Sequence, residues 1–305
     1  MGDAKFAAAY ANHQAKRNHA EKWQVIIDAT NMTTQPLASQ LLGQMGLDST
    51  RDKPFKLLDH ACGAGVVGHL LRTSIAPEVL EKSSVLSADM APGMVELVKD
   101  RQIREGWINS EARVLDAQKA DLPDASFSHI TVGMALHITP EPQLAADTPG
   151  GADCVRLLQP GGVVGLSTPM GAMGGHMRDL RDAFASFPFD APFPDPFPTQ
   201  LHGVGRWDDA NWVARNLTDE HGLVGVRAEL HAHLARYESG AEYARLFSPF
   251  LPVLLDGWWP EDTRRAHPLD EVLGLVAAFM DDKYGGRPWY SEFYALVATG
   301  QKKSE

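Results

Sequence analysis

The chain of 305 residues is long enough for one large domain or for one domain with a cap. Its hydrophobic fraction of 44% and charged fraction of 22% are those of an ordinary soluble globular protein. The net charge of -11, with no run of Lys and Arg, argues against a nucleic-acid partner, because a polyanion is bound by clustered basic side chains.

Cysteine and histidine usage narrows the chemistry further. Cys62 and Cys154 are too few for a disulfide framework and do not have metal-ligand spacing. His231 and His233 flank a small residue in a strand-like pattern, so we expect no metal site. The N-terminus lacks an apolar targeting segment, and the longest apolar run, residues 272–280, is too short to span a bilayer. We therefore expect a cytoplasmic protein with no membrane partner.

Residues 1–50 predict an N-terminal helical cap. Residues 4–23 are Ala-rich with polar residues interleaved, and a second helical pattern starts near Pro36 and closes at Gly46. Such a segment either covers the sheet or forms a lid over a ligand. In the second case, Trp23 is a candidate substrate contact.

Residues 56–68 predict a strand, a tight loop and the start of a helix. Gly63 and Gly65 lack the Cβ atoms that keep a ligand away from the backbone, and both tolerate φ > 0. The first N–H groups of the helix have no partner within the helix and face the ligand. Two ligands suit such a loop, a dinucleotide and S-adenosylmethionine (SAM).

Asp59 favours SAM over the dinucleotide. It stands four residues before Gly63, where the strand ends. A carboxylate there repels a pyrophosphate but attracts the ammonium group of a methionine moiety, directly or through water. Gly63, Gly65 and Gly68 also satisfy the G-x-G-x-x-G pattern, which is a weak signal alone. The alternative is a glycine-rich turn that binds no ligand.

The second predicted strand, residues 84–89, ends on an acid 24 residues after Gly65. One carboxylate accepts both hydroxyl hydrogens of a ribose, so we expect Asp89 to bind ribose and Met90 to lie against the adenine. A second interpretation, compatible with the first, makes Asp89 the N-cap of a helix over residues 92–105.

Three more strands are predicted over residues 111–115, 128–134 and 163–167. Asp116 and Ala117 end the first of these, and Asp116 suits an acceptor for the adenine amino group. Residues 155–162 predict the end of a helix closed by a Pro-Gly-Gly turn. Strands that alternate with helices at this spacing indicate an α/β fold with a doubly wound, mostly parallel sheet.

Residues 55–168 resemble the SAM-binding half of a class I methyltransferase. Four segments match its motifs in order: residues 58–65, 88–94, 121–124 and 158–162. Within that class the chain is most similar to small-molecule methyltransferases of fungal secondary metabolism, especially those that methylate the sulfur atoms of dithiol metabolites. Residues 105–107 and 252–260 contribute to this narrower match. One departure is residues 146–151, which interrupt the helix before the Pro-Gly-Gly turn.

The resemblance implies a seven-stranded, Rossmann-like sheet and SAM as the cofactor. The predicted cofactor-binding residues are Asp59, Ala61, Cys62, Gly63, Gly65, Asp89, Met90, Asp116, Ala117 and Met134.

Two insertions into a catalytic domain over residues 51–305 are predicted, at about residues 169–215 and 238–285. Residues 184–197 hold five Phe and four Pro, so they form neither a regular helix nor a central strand. We expect them to line an apolar pocket; the alternative is a hydrophobic loop packed on the sheet. Phe197, His176 and His202 are the candidate substrate contacts. The second insertion holds helical patterns over residues 238–255 and 261–280, between strands predicted over residues 224–233 and 291–299.

Methyl transfer needs no covalent intermediate, because the enzyme mainly holds the nucleophile in line with the methyl carbon and excludes water. A hydroxyl acceptor benefits from a base, whereas a thiol with a pKa of about 8.5 needs little more than a polar neighbour. His137, just beyond the fourth strand, is the candidate catalytic residue. Its alternative role is that of a surface or packing histidine.

The sequence therefore predicts a SAM-dependent methyltransferase that acts on a thiol or hydroxyl of a small, largely apolar secondary metabolite. One rival is a methyltransferase-like protein that uses the fold for regulation or for a non-methylating reaction. The other is an NAD(P)-dependent oxidoreductase, which shares the glycine-rich loop but should lack Asp59 and the Pro-Gly-Gly turn.

Overall fold

The computed structural model describes residues 8–10, 12–13, 23–139, 154–170, 174–201 and 203–304. The strands are β1 (Lys56–His60), β2 (Ser84–Asp89), β3 (Ser110–Val114), β4 (Phe127–Gly133), β5 (Leu158–Pro169), β6 (Val224–Tyr237) and β7 (Trp289–Gln301). The helices are α1 (Trp23–Thr33), α2 (Gln35–Gln44), α3 (Val66–Ser74), α4 (Pro77–Leu80), α5 (Pro92–Arg104), α6 (Cys154–Leu157), α7 (Gly175–Ala185), α8 (Ala210–Arg215), α9 (Gly240–Phe247), α10 (Leu251–Trp258), α11 (Glu261–Ala266) and α12 (Leu269–Tyr284).

The seven strands form one sheet in the order β3-β2-β1-β4-β5-β7-β6. Strands β1 to β5 pair in parallel, and β7 runs antiparallel to β5. The chain builds outward from β1 to β3 and then returns to place β4 on the other side of β1. This reversal is a switch point, where ligands bind in open α/β sheets. The predicted α/β fold with a doubly wound, mostly parallel, seven-stranded sheet is confirmed.

Both faces of the parallel strands are covered. On one face Leu57 and Val85 pack into a buried cluster with residues of α2 and α3. On the other face Leu58 and Ile130 pack into a second cluster, which includes residues of α6 and α8. Because both faces are covered, successive residues of β1 and β2 are buried, rather than every second residue.

Two long predicted helices are each broken in the structure. The pattern over residues 238–255 divides into α9 and α10, and the pattern over residues 261–280 divides into α11 and α12. Pro249 and Pro268 lie in the breaks. Proline lacks an N–H group and its ring clashes with the preceding turn, so it ends a helix at or before the residue that precedes it.

Two local predictions also need correction. The Pro-Gly-Gly segment does not end a helix: α6 ends at Leu157, and β5 runs through the segment, with Gly161 at φ +75°. The pairing with β4 shifts register there, so the segment is an irregularity within the strand. The sequence over residues 207–212 also predicts a helix start with Asp208 as its N-cap, but the N-cap of α8 is Asp209. The side chain of Asp209 accepts hydrogen bonds from two backbone N–H groups of the first helical turn.

The chain divides into two compact units. The sheet unit consists of Thr34–Met170, Val204–His231 and Ala295–Glu305. The aromatic unit consists of Met1–Thr33, Gly171–Gly203 and Ala232–Tyr294. A cap over residues 1–50 and insertions at about residues 169–215 and 238–285 stay predictions.

A buried carboxylate joins three elements of the aromatic unit. Asp179 of α7 accepts hydrogen bonds from Ser291 of β7, from the Tyr284 hydroxyl and from the Lys283 ammonium, each at 2.9 Å. Nearby, the Trp289 ring stacks on Tyr284 with a centroid distance of 4.5 Å. Burial, together with the hydrogen bond to Asp179, raises the pKa of Tyr284 to about 12, so its hydroxyl remains a donor at neutral pH.

The described residues contain no helix that is both long and apolar enough to cross a membrane. Within the same residues, no group of three or more His, Cys, Asp or Glu side chains is arranged to hold a metal ion.

The Asp179 hydrogen bonds give a stability prediction. Asp179→Ala should lower the free energy of unfolding by about 1.5–3 kcal/mol, because it leaves a hydroxyl pair and a partly solvated ammonium without their charged acceptor. Urea denaturation measures this change. Asp182→Ala is the matched control, because Asp182 accepts from the same Lys283 at a more exposed position and should cost less than about 1 kcal/mol. Equal losses of unfolding free energy in Asp179→Ala and Asp182→Ala would contradict the role of Asp179 as a stabilising buried acceptor.

Candidate functional site

The glycine-rich loop directly follows β1 and contains three residues in the left-handed backbone region. Ala61, Gly63 and Gly65 have φ values of 53°, 51° and 76°. The loop closes with a hydrogen bond from the Gly65 N–H to the Cys62 carbonyl at 2.8 Å, and Gly65 is the N-cap of α3. A left-handed residue other than glycine is uncommon, and such strain clusters at functional sites. Ala61 therefore marks this loop as a candidate site.

The glycines of the loop serve two different purposes. No heavy atom lies within 4 Å of the position that a Cβ atom of Gly63 would occupy, so the space beside Gly63 is open. A Cβ atom on Gly65 would lie 3.0 Å from the Trp107 ring, and one on Gly68 would lie 2.3 Å from it. The expectation that Gly65 clears space for a ligand is therefore corrected, because Gly65 and Gly68 make room for Trp107.

Asp59 is buried at the end of β1 with one oxygen unpaired. Its Oδ1 accepts a hydrogen bond from the Thr131 hydroxyl at 2.7 Å, whereas its Oδ2 has no partner among the described residues. Thr131 and Ser87 are its in-register neighbours on β4 and β2, and the Ser87 hydroxyl likewise has no partner there. Burial raises the pKa of Asp59 to about 7, the Thr131 hydrogen bond opposes this rise, and the charge of Asp89 adds to it.

Asp89 links the glycine-rich loop to the end of β2. Its Oδ2 accepts from the Gly63 N–H and its Oδ1 from the Ala91 N–H, both at 2.9 Å. The N-cap of α5 is Ala91, so the interpretation of Asp89 as that N-cap is wrong, and Asp89 instead braces the turn before the helix. A carboxylate offers about four acceptor positions, so these two bonds leave a ribose role compatible with the geometry.

Cys62 is buried in the same loop. Its N–H donates to the Ala88 carbonyl of β2 at 2.9 Å. Burial, with the charges of Asp59 and Asp89, raises the pKa of its thiol well above the ordinary value. Cys62 is therefore a protonated packing residue rather than a nucleophile.

The other predicted cofactor residues follow neighbouring strands. Met90, which is 69% exposed, comes directly after β2. Asp116 is exposed beyond β3, where it accepts from the Gln118 N–H at 2.9 Å, and Ala117 beside it is half-buried. Met134 follows β4 with φ 51°, and its N–H donates to the Ser167 carbonyl at 2.8 Å. Because β1 to β4 are parallel and adjacent, their carboxyl ends bring the predicted cofactor residues to one edge of the sheet.

His137 lies in the turn that follows Met134. The turn is held by hydrogen bonds from the Ile138 and Thr139 N–H groups to the Ala135 carbonyl. His137 is half-buried and belongs to the sheet unit, at the carboxyl edge of β4.

The described substrate candidates lie in the aromatic unit. The His176 ring stacks on Phe293 with a centroid distance of 3.5 Å, and its Nδ1 lies 3.1 Å from the Glu292 carbonyl oxygen. Burial lowers the pKa of His176 to about 4, so the ring is neutral at pH 7. Phe197 packs against Phe193, with ring centroids 5.9 Å apart.

The indole N–H of Trp23 is buried without a partner among the described residues. His202 and residues 146–151 lie outside the described residues.

Sequence reasoning missed several residues that shape the site. Thr131 and Ser87 flank Asp59 in the sheet. The sequence feature that could have identified them is a polar residue within a buried strand. Arg101 and Trp107 contact the loop from α5 and the turn after it. Of these four residues, only Trp107 lies in a segment that contributes to the sequence resemblance, residues 105–107.

The residues fit SAM better than a dinucleotide. The unpaired, buried Oδ2 of Asp59 suits a cationic ammonium group, and the open space at Gly63 lets a ligand approach the backbone. The buried carboxylate of Asp59 within the site would repel a pyrophosphate.

The sequence comparisons with known proteins agree with this fit. Residues 57–162 match the methyltransferase domain family. The acetylaranotin bis-thiomethyltransferase of Aspergillus terreus is 26% identical over 273 residues, which cover 89% of this chain and 91% of that protein. Methyltransferase tpcH of Aspergillus fumigatus is 25% identical over 269 residues, which cover 87% and 91%. The crystal structure of the cyclase SpnF is 16% identical with a TM-score of 0.49, and the match covers 89% of this chain and 82% of SpnF.

The domain match over residues 57–162 supports a SAM-dependent methyltransferase, with SAM as its cofactor. Along nearly its whole length, the chain is related to methyltransferases of fungal secondary metabolism, as the sequence motifs predicted.

Asp59 gives a pH prediction for the protein without ligand. Its folded-state pKa of about 7 lies above the unfolded value of about 3.9. The folded state therefore binds the proton more tightly, and stability falls as pH rises from about 4 to about 7, because a charge must then be buried. Asp59→Asn should raise the Tm at pH 8 and leave it nearly unchanged at pH 4. Thermal melts at both pH values test this.

The same substitution should weaken SAM binding at pH 8 by about tenfold or more, because a charge-assisted hydrogen bond is lost. Calorimetry with SAM and with NAD measures the affinity, and only SAM should bind to the unmodified protein. Asp52→Asn, at an exposed position before β1, is the control for both experiments. A Tm difference that did not depend on pH would contradict the buried-charge account.

The two glycine roles give a paired prediction. Gly63→Ala and Gly65→Ala both place a side chain at positive φ, at a similar strain of about 1–2 kcal/mol. Gly65→Ala should lower the Tm further, because its methyl group also meets Trp107. Gly63→Ala should instead mainly weaken SAM binding. The ratio of lost SAM affinity to lost Tm should therefore be larger for Gly63→Ala than for Gly65→Ala. Melts and calorimetry on the pair measure both effects, and equal ratios would refute the division of roles.

Proposed function

We propose that this enzyme transfers the methyl group of SAM to a thiol or hydroxyl of a small, largely apolar secondary metabolite. The observation that carries the proposal is the buried Oδ2 atom of Asp59, which has no partner among the described residues and lies in β1 at the switch point of the sheet. The open position of Gly63 follows four residues later in the chain. When bound, SAM supplies an electrophilic methyl group on a positively charged sulfur atom.

In this proposal, the sheet unit holds the cofactor through three carboxylates. Asp59 accepts the ammonium group of the methionine moiety, for which its Oδ2 is unpaired. Asp89 accepts ribose hydroxyls while its bonds to the Gly63 and Ala91 N–H groups fix its orientation. Asp116 lies one strand further out and accepts from the adenine amino group. Ala61, Cys62, Met90, Ala117 and Met134 contact the cofactor around them.

The acceptor is expected to bind aromatic side chains of the aromatic unit. Phe184 and Phe187 are buried and stack on each other, with centroids 5.2 Å apart, so they belong to the core of that unit. Phe189, Phe193 and Phe197 are half-buried and retain exposed ring surface. Apolar guests bind to such surfaces. Trp23, His176 and His202 are the other proposed acceptor contacts.

Two observations support a thiol and a small molecule. A relative with nearly complete coverage is named as a bis-thiomethyltransferase, so sulfur is a reasonable acceptor here. The net charge of -11 disfavours a nucleic acid. The absence of a membrane partner and the cytoplasmic location stay predictions.

The role of His137 depends on the acceptor atom. A thiol with a pKa of about 8.5 ionises readily, so the chain needs only to position it and exclude water. A hydroxyl has a much higher pKa and would use His137, at the carboxyl edge of β4, as a general base.

The test is incubation of the enzyme and SAM with dithiol, phenol and amine metabolites, followed by mass analysis. We expect a methylated thiol, with a rate that rises with the ionisation of the thiol itself. His137→Ala should then retain most of the activity. If the acceptor is a hydroxyl, the same variant should lose about 10²–10⁴-fold.

His221→Ala is the control, because His221 is a partly buried histidine of the sheet unit that follows the helical turn after α8. A nucleic acid or protein methylated faster than every small molecule would overturn the proposal.

A further inference from the structure

A partly buried hydrogen-bond cluster lies against the glycine-rich loop. At its centre Glu105, the C-cap residue of α5, accepts from Arg101 Nε at 2.7 Å and from Trp107 Nε1 at 2.9 Å. The Nδ1 atom of His69 on α3 lies 2.9 Å from the same carboxylate. Arg101 is only 1% exposed. We call Arg101, Glu105, Trp107 and His69 the Glu105 cluster.

The cluster keeps its carboxylate ionised. Burial raises the pKa of Glu105, but hydrogen bonds from Arg101, His69 and Trp107 outweigh burial and lower the pKa to about 2. The guanidinium of Arg101 also lies over the Trp107 ring, 5.5 Å from its centroid. Arg101 is therefore fixed by an anion and an aromatic face, and its remaining N–H groups have a defined direction.

One of those N–H groups reaches the loop. Arg101 Nη1 donates to the carbonyl oxygen of Ala64 at 2.5 Å. Ala64 stands between Gly63 and Gly65, both at positive φ. Rotation of the Ala64–Gly65 peptide meets little resistance, because Gly65 has no Cβ atom. The bond from the Gly65 N–H to the Cys62 carbonyl holds one side of this peptide from within the loop, and Arg101 holds the carbonyl side from outside it.

Two further contacts complete the anchor. The Trp107 ring fills the space where Gly65 and Gly68 lack side chains. On the opposite flank, the Gly63 N–H donates to Asp89. The ion pair of Arg101 with Glu105 is buried at the arginine and partly exposed at the glutamate. Such pairs contribute little net stability, so stability alone is a weak reason for this cluster.

We propose that the Glu105 cluster sets the conformation of the glycine-rich loop for SAM, with Arg101 as the positioning residue that holds the Ala64 carbonyl. Arg101 does not contact the reacting atoms; it acts through the loop. The inference rests on the SAM site proposed above and adds a determinant of cofactor affinity outside that site.

The experiment compares Arg101→Lys with Arg72→Lys. Lysine retains the charge but cannot bond Glu105 and Ala64 together in the geometry of arginine. Arg72 donates to the backbone carbonyl of Glu105 at 2.6 Å from an exposed position and does not bond the loop, so it is the matched control. Calorimetry measures the Kd of SAM, thermal melts measure folding, and hydrogen exchange measures the Gly65 amide in the protein without SAM.

We expect Arg101→Lys to raise the Kd of SAM by about tenfold or more and to speed exchange of the Gly65 amide by a similar factor. Arg72→Lys should change neither by more than about twofold. A folded Arg101→Lys protein with unchanged affinity and unchanged exchange would overturn the proposal, whatever its Tm.

If Arg101→Lys does not fold, Glu105→Gln decides by the same two measurements, because it keeps the side-chain shape and removes the anion that orients Arg101. If the unmodified protein does not bind SAM, the failure lies with the proposed function. Hydrogen exchange of the Gly65 amide then tests only whether Arg101 holds the loop. Faster exchange in the variant supports this role, and unchanged exchange overturns it.

Discussion

The buried carboxylate of Asp59 is the constraint on which the site depends. An ionised group inside a parallel sheet is costly unless it is paired, and Thr131 pairs only one of its oxygens. Register puts Ser87 and Thr131 on either side of it, and the charge of Asp89 opposes its ionisation further. A cationic ligand would relieve this cost. The residues of β1 and its neighbouring strands therefore favour a positively charged ligand at the switch point of the sheet.

The glycine-rich loop is held by residues outside itself. Its three left-handed residues give it little stiffness of its own, so the Asp89 carboxylate holds the Gly63 N–H and Arg101 holds the Ala64 carbonyl. The first anchor comes from β2 and the second from α5. Both elements also pack in the sheet unit, so the loop takes its shape from the same contacts that stabilise the fold. Cofactor affinity and fold stability are consequently coupled at this loop.

The sequence predicts an element correctly where the pattern that indicates it lies within the residues of that element. The strand over residues 84–89 matches the structure because its short segment of small and apolar residues is buried on both faces and lies between turns. The predicted helices after residue 238 are too long because the apolar periodicity continues through Pro249 and Pro268, where the structure breaks them. Asp208 and Asp209 are equivalent caps in sequence, and only backbone geometry distinguishes them. The contact between Arg101 and Ala64 joins residues 37 apart, and no local pattern encodes such a contact.

The same limit explains why the acceptor site is harder to define than the cofactor site. The phenylalanines of residues 184–197 share one composition, yet Phe184 is buried in the core of the aromatic unit while Phe193 is only half-buried. Composition predicts an apolar segment but not which of its rings faces a guest. Cofactor residues follow the ends of successive strands, so topology alone orders them. The topology does not predict the acceptor contacts in this way, because each ring of an irregular segment is positioned by its own packing contacts. In the proposed site, acceptor choice therefore depends on single rings, whereas the cofactor residues depend on the order of the strands.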